Sequence, residues 1–503
     1  MILRRLLIGY IVWMFLVVWD PVNTVFAQNN LGRSPLTSPR IVNLDGNPGT
    51  LKIVVGDEAG NLNGFNGRGA LLWQVALRID GVFPTSIQGT PAVADVDGDG
   101  LLEIVATTGK MNFQSTNPGG VFVADLLDAG GIFPPILRQI LKFDNRSIDP
   151  PDNVPDSSVV SPAIADVNGD GTPDIVVGSF DQVVRAIDIN GFPLWFEFVT
   201  EPIGPVLYGG LKTGDTIFSS PAVANIDFDP QAEVIIGIEA NDSRDCFAPL
   251  NFTLAKKGGA ILFIDGFTGK PDTGLLLPAN IVDPACPNKI KVRANINKPI
   301  NSTAAVADIN GDFFSDIVIG SSRSVPGFPT TGATVFAVSS NGKVLWTKST
   351  GGSLVPSSPA IGDVDGDGLP EVFVRTENNR LYGFRGNTGA ILPGFPVTLI
   401  SAANGVNAYL SSPVLGDTDG DTLPEILVVA FGNLNIVKSN GAILQAIPVP
   451  NLLNNTPAIG DIDGDGLNEI VVMGDAVQII QTTGRGIPPW PQFKANAEGT
   501  SKR

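Results

Sequence analysis

The sequence predicts an all-β protein, a β-propeller of four-stranded antiparallel blades, and three observations predict it. One segment recurs along the chain: TPAVADVDGDGLLEIV from residue 90, SPAIADVNGDGTPDIVV from 161, SPAIGDVDGDGLPEVFV from 358, with further copies from 220, 303, 412 and 456. The copies are followed by further short apolar runs, and several of these are joined by Asn-Gly or Thr-Gly, which are hairpin-turn dipeptides. No long segment carries a helical period. Four-strand units repeated along a chain are the signature of a propeller. A worn copy, SPRIVNLDGNPGTLKIVVG, opens the array at 38. Counting it argues eight blades; the alternative is seven blades and an irregular terminal element.

Each unit is read as strands A to D. Strand A is the SPAIADV run, and its Pro stands at the strand start, where no ladder donor is lost. Small residues belong there, because the innermost strands crowd the propeller axis. Ala92, Ala94, Ala163, Ala165, Ala222, Ala224, Ala360 and Gly362 meet that demand. Strand B is the EIVVG run. Strands C and D flank the turn, as in RLYGFRGNTGAILPGF.

Composition agrees with short elements around a large core. The 503 residues include 58 Gly and 40 Pro, yet 43% are hydrophobic and only 16% are charged. There is no histidine. That excludes Ser-His-Asp catalysis, His-ligated zinc and a histidine pH switch. The net charge of −18 is the wrong sign for nucleic acid or anionic lipid and suits cations.

Residues 1–27 read as a signal peptide. Arg4 and Arg5 precede an apolar run from Leu6 to Trp19, and Val25-Phe26-Ala27 offers a cleavage site before Gln28. The run is short for a membrane span of about 20 residues. The expected organisation is signal peptide 1–27, linker 28–37, propeller 38–493 and tail 494–503. The expected location is secreted, cell-surface or periplasmic, with no membrane insertion after cleavage.

The A–B loops have the donor pattern of calcium sites. In Asp363-Val364-Asp365-Gly366-Asp367-Gly368-Leu369-Pro370-Glu371, oxygen side chains fall at positions 1, 3, 5 and 9. Glycines at positions 4 and 6 let the backbone curl so that those side chains converge. An all-oxygen set with several carboxylates suits Ca²⁺, which takes six to eight oxygens. The set recurs as Asp95/Asp97/Asp99/Glu103, Asp166/Asn168/Asp170/Asp174, Asn225/Asp227/Asp229/Glu233 and Asp308/Asn310/Asp312/Asp316. It continues as Asp417/Asp419/Asp421/Glu425 and Asp461/Asp463/Asp465/Glu469. Turn formation alone does not require an acid at position 9. Five to seven structural Ca²⁺ ions are expected. The loop at 225 is weaker, with Pro230 in a glycine position. In the first copy Leu51 stands where the acid belongs, and no ion is expected there.

These loops beside SPAIxD resemble the FG-GAP/VCBS repeat family, whose best-known members are the integrin α-subunit propeller heads. The resemblance covers residues 38 to about 493 and implies a calcium-loaded propeller of the exported-protein branch. The Phe-Gly and Gly-Ala-Pro tags of the family are mostly missing, and no inserted ligand-binding domain is visible. The Asn-Gly-x-x-Leu-Trp stretches also look like pyrroloquinoline-quinone-type propeller repeats, a class holding both enzymes and assembly scaffolds. The terminal PPWPQFKANAEGT resembles the closing segment of exported repeat proteins.

The function expected is a binding or adhesion module for an extracellular protein or glycan, acting as a monomer and without enzymatic activity. Two alternatives stand beside it: an exported carbohydrate-active enzyme, lyase-like, on the same scaffold, and an envelope assembly scaffold. Cys246 and Cys286 are the only cysteines, and in an exported chain they are expected to pair. In a meander the long insertions all fall on the face opposite the calcium loops. The partner is therefore expected there, with Phe113, Tyr208, Phe247 and Phe328 as contacts.

Overall fold

A computed structural model describes residues 29–30, 37–42, 47, 49–109, 118–143, 157–181, 183–198, 219–226, 231–242, 256–269, 293–295, 302–321, 334–340, 342–351, 353–401, 411–449, 455–474, 476–496 and 499–500. Among them the chain forms eight four-stranded antiparallel sheets and one two-stranded ribbon. The sheets are the blades of an eight-bladed β-propeller. The inner A strands are Arg40–Ile41, Ala92–Ala94, Ala163–Ala165, Ala222–Ala224, Ala305–Ala307, Ala360–Gly362, Val414–Gly416 and Ala458–Gly460. We number blades 1 to 8 in that order.

Blade 2 shows the common plan. Its B, C and D strands are Glu103–Thr108, Gly120–Asp125 and Ile136–Lys142, each paired with the one before. Strands B and C are buried along almost their whole length, while D lies half-exposed at the rim. The core therefore lies between neighbouring sheets. One cluster joins Val176, Val184 and Trp195 of blade 3 to Val234 and Ile236 of blade 4. Another joins Ile53 and Phe65 of blade 1 to Val471 and Ile479 of blade 8.

The worn first copy forms a complete blade, so the count is eight. Blade 8 takes strands A to C from the C-terminal end, ending with Ala476–Gln481, and its outermost strand is Asn29–Asn30. Asn29 pairs with Val477 and Asn30 with Ala476. The stretch read as a linker thus supplies the last strand and closes the circle.

The C-terminal segment goes to the axis instead. Trp490 bridges Leu415 of blade 7, and Pro491 O accepts from Ile459 N of blade 8. Arg40 Nη1 of blade 1 donates to Phe493 O, Lys494 Nζ donates to Pro162 O of blade 3, and Thr500 O accepts from Val223 N of blade 4. Trp490, Lys494 and Ala495 are buried. The described part of 494–500, read as a tail, is packed inside the molecule. This also explains the small residues of strand A. A Cβ on Gly362 or Gly416 would come within 3.1 Å of Pro489 or Pro488.

The expected signal peptide, Asp227, Asp229, Cys246, Cys286, the four aromatic contacts and most of the long insertions lie outside the described residues. No helix among the described residues is long and apolar enough to cross a membrane.

Candidate metal centres

Each fully described A–B loop of blades 2, 3, 5, 6, 7 and 8 is built the same way from its first carboxylate. Asp95 Oδ1 accepts from Gly98 N at 2.7 Å and Oδ2 from Gly100 N at 3.0 Å. Asp166, Asp363 and Asp461 repeat this pair of contacts on their own loops. Asp308 and Asp417 do the same with Gly311 and Gly420, and with Phe313 and Thr422 in place of the second glycine. The loop glycines have positive φ, such as 76° at Gly98 and 88° at Gly100, which an L side chain rarely adopts. Phe313 and Thr422 are held in the same region, at φ 71° and 73°. The position-5 carboxylate turns the chain out of the loop, as in Asp99 Oδ1 accepting from Leu101 N at 2.8 Å.

The acid at position 9 opens strand B and reaches back across the hairpin. Glu103, Asp174, Glu233, Asp316, Glu371, Glu425 and Glu469 each accept the N–H of position 2, at 2.6 to 3.3 Å. This one contact explains why the acid recurs: it ties the start of the loop to the start of strand B. It uses only one oxygen. Asp316 Oδ1 and Glu469 Oε1 are buried without a hydrogen-bond partner. A buried carboxylate oxygen left without a donor is costly, and a cation at the loop centre would satisfy it.

Four loops bring three acids together with ligand atoms within 4.8 Å of one another. They are Asp95/Asp97/Asp99, Asp363/Asp365/Glu371, Asp417/Asp419/Glu425 and Asp461/Asp463/Asp465. The expected four-member sets are thus gathered only in part. Glu103 and Glu469 are not members of the three-acid groups of their loops, nor are Asp367 and Asp421 of theirs.

Two loops carry Asn at position 3 and hold only three acids each, at positions 1, 5 and 9. Asp308, Asp312 and Asp316 do not converge as a three-acid group, and neither do Asp166, Asp170 and Asp174. The reason is the Asn at position 3, which brings an amide where the sister loops have a carboxylate. Asn310 Nδ2 donates to Asp312 Oδ2 at 3.0 Å, and Phe314 N donates to Asp312 Oδ1 at 2.9 Å, so both oxygens of Asp312 are engaged within the loop. Asn168 holds Asp170 in the same way at 3.0 Å, with Thr172 N on the other oxygen at 2.8 Å. In the loops as they stand, Asp312 and Asp170 brace their own turns. Blade 4 shows Glu233 in place beside Asn225, with Asp227 and Asp229 outside the described residues. In the four convergent loops the donors are all oxygen, and those residues fit Ca²⁺.

Electrostatics point the same way. Burial pushes Glu103, Asp316, Glu371 and Glu425 up to about 7, and neighbouring loop carboxylates add to the rise. Burial raises Asp174 to about 6 and Glu469 to about 8. Without a cation these loops hold carboxylates where the charged form is unfavourable.

Two features beyond the loops were not read from the sequence. The Ser or Thr at the head of each A strand belongs to a closed hydrogen-bonded circle. Ser38 N donates to Thr90 Oγ1, Thr90 N to Ser161 Oγ, Ser161 N to Ser220 Oγ and Ser220 N to Thr303 Oγ1. Thr303 N, Ser358 N, Ser412 N and Thr456 N continue it through Ser358, Ser412, Thr456 and back to Ser38. The signal was present as a hydroxyl at that position in all eight copies. In addition, Trp73, Trp195 and Trp346 on D strands donate their indole N–H to Gly131, Gly266 and Gly386 O in the C–D turn of the next blade. The Leu-Trp runs are thus ties between blades.

Residues 363–428, from the blade 6 loop into strand B of blade 7, match the FG-GAP-like repeat family. The eight-bladed propeller thus contains an FG-GAP-like repeat. No curated protein matches its sequence. Among solved structures, the propeller is similar to the V. cholerae biofilm matrix protein Bap1, at 14% identity and a TM-score of 0.53, covering 95% of this chain and 94% of that one. It is also similar to Saccharomyces cerevisiae Sqt1, at 11% identity and a TM-score of 0.54, covering 92% and 99%. At these identities the likeness is one of fold. The matched repeat contains two of the four loops in which three acids converge.

Proposed function

We propose that this chain is an exported, calcium-stabilised FG-GAP-like propeller that serves as a binding or adhesion module for an extracellular protein or glycan. The observation that carries the calcium reading is the buried, unpartnered outer oxygen of Asp316 and of Glu469 beside all-oxygen loops. Calcium there staples the A–B hairpins of a scaffold whose other turns are left for recognition. In the loop at 308 an arriving ion would take Asp312 from Asn310. Export is supported by the basic and apolar N-terminal pattern and by the cleavage motif ending at Ala27. The loop acids are engaged with backbone N–H groups of their own loops, which supports a structural role for them.

The ligand surface we favour is the face opposite the calcium loops, where the long B–C and D–A connections fall; the expectation that all long insertions lie there is corrected for blade 4, whose residues 266–292 join strand C, Lys256–Asp265, to strand D, Arg293–Asn295, on the calcium side. A second surface is favoured by a specific observation. Phe192, Phe267 and Phe313 are 69%, 62% and 89% exposed, and all three lie in A–B or C–D turns on the calcium side. Aromatics are enriched in contact surfaces.

The test is a glycan and protein array probed with the mature chain in calcium and in EDTA, beside a polysaccharide-cleavage assay. Calcium-dependent retention without cleavage supports the reading. Cleavage would overturn it in favour of an enzyme. Trimming 241–257 and, separately, replacing the three phenylalanines by serine then assigns the face: the variant that folds but no longer binds names it.

A further inference from the structure

The residue that faces the position-9 acid from strand C differs round the ring. Register sets Asp125 against Glu103, Asp265 against Glu233 and Gln481 against Glu469. In blade 6 it sets Arg385 against Glu371. In blade 7 Val437 pairs with Ile426, so the next residues, Lys438 and Glu425, face each other. By the same step, Asp188 faces Asp174 in blade 3 and Ser339 faces Asp316 in blade 5. Cations stand at this position in blades 6 and 7, whereas the corresponding residue is Asp, Ser or Gln in blades 2 to 5 and 8.

Both cations reach into their loops. Arg385 Nη1 lies 2.9 Å from Glu371 Oε1 and 2.6 Å from Asp367 Oδ2, and Nη2 lies 2.8 Å from Asp365 Oδ2. Lys438 Nζ lies 2.6 Å from Asp419 Oδ2, 2.9 Å from Asp421 Oδ2 and 3.8 Å from Glu425 Oε1. The carboxylates at positions 3, 5 and 9 are therefore gathered by one side chain in each loop. The outer oxygen of the position-9 acid, which has no partner in blades 5 and 8, is met here by a guanidinium or an ammonium.

We propose that Arg385 and Lys438 are resident counter-cations that keep the loops of blades 6 and 7 formed without metal and lower their affinity for Ca²⁺, so that the propeller has two classes of loop. The proposal rests on the calcium reading above. A divalent ion must displace the side chain from the three carboxylates before it can take their oxygens. Ion pairs whose cation stays partly exposed to solvent are individually weak, so displacement is expected to weaken binding about tenfold and not to abolish it. Both side chains are about one-third exposed and have room to swing out.

The experiment uses the mature chain and counts bound Ca²⁺ by equilibrium dialysis over a range of free Ca²⁺, with melting curves in EDTA and in saturating Ca²⁺. The wild type is expected to show two sites about tenfold weaker than the rest. The double variant Arg385→Gln/Lys438→Gln is expected to lose the weak class, to melt lower than wild type in EDTA and to match it in Ca²⁺. Should that variant fail to fold without metal, Arg385→Lys and Lys438→Arg keep the charge and are expected to behave as wild type. A wild type that binds Ca²⁺ at uniform sites, with an isotherm and EDTA melting point unchanged by the double substitution, overturns the proposal and leaves the calcium reading standing. A wild type that binds no Ca²⁺ overturns both.

Discussion

Thr456 N donates to Ser38 Oγ at 2.9 Å across 418 positions of sequence, and this bond closes a circle of eight. Each member gives its backbone N–H to the hydroxyl of the next blade, so adjacent inner strands are joined by one buried contact all the way round. Ser38→Ala leaves the Thr456 N–H buried without its acceptor and is expected to cost about 1–3 kcal/mol. Ser161→Thr, which keeps the hydroxyl, is expected to cost less. Urea unfolding checks both, and equal losses for the two variants would refute the role of the hydroxyl.

The axial segment is expected to contribute core energy. Trp490 is 2% exposed between Leu415 and the neighbouring inner strands. Trp490→Ala is expected to destabilise by about 3–5 kcal/mol, as for other buried large-to-small changes. Deleting 487–503 should produce at least that loss. A deletion with an unchanged melting point would place the segment outside the cooperative core.

Phe313 and Thr422 hold left-handed backbone where the sister loops use glycine. An L residue there costs roughly 1–2 kcal/mol, partly offset by the entropy glycine loses on folding. Phe313→Gly and Thr422→Gly are each expected to raise stability by about 0.5–1 kcal/mol. Thermal unfolding in saturating calcium measures it, and a decrease would show that these side chains make contacts worth more than the strain.

Calcium should raise the melting point, because ions bound by the folded chain alone stabilise it by mass action. One site at a hundredfold excess over its Kd contributes about 2.7 kcal/mol. Asp463→Ala in blade 8 is expected to remove one site's share, whereas Asp45→Ala in the first copy should do little. Identical melting curves in calcium and EDTA would remove the structural-ion reading.

The pH dependence has a definite sign. In EDTA Glu103, Asp316, Glu371 and Glu425 bind protons up to about 7, Asp174 up to about 6 and Glu469 up to about 8. The unfolded chain releases those protons near the ordinary carboxylate range. The folded state then holds more protons between the two ranges, so stability falls as pH rises from about 5 to 8. Calcium replaces those protons, and the fall should flatten in its presence. Melting points across that range, with and without calcium, test this; a metal-free protein that becomes steadily more stable toward pH 8 contradicts it.

Much of this protein was legible in the chain because its information is local and repeated. The A–B loop places its carboxylates and glycines within nine residues, and the hairpin turns announce themselves by Asn-Gly. Repetition then specified four strands per unit, and the first copy proved a full blade although Leu51 had replaced its acid. Spacing alone did not show which acids converge: Asp312 sits at the right position yet is held by Asn310. Other features depended on residues far apart in sequence. Nothing near Asn29 shows that it pairs with Val477, and nothing near Lys494 shows that it lies beside Pro162. The hydroxyl at the head of each A strand was visible in every copy, but its partner is always one blade away.

By itself the sequence determined the all-β class, the strand order within a blade and the position of every acid in the loops, since these follow from spacing along a single stretch of chain. The tertiary structure decided how the circle closes, what fills the axis and which loops carry their own cation. Those outcomes depend on which strands come to lie side by side, and register puts Arg385 opposite Glu371 only once strands B and C have paired.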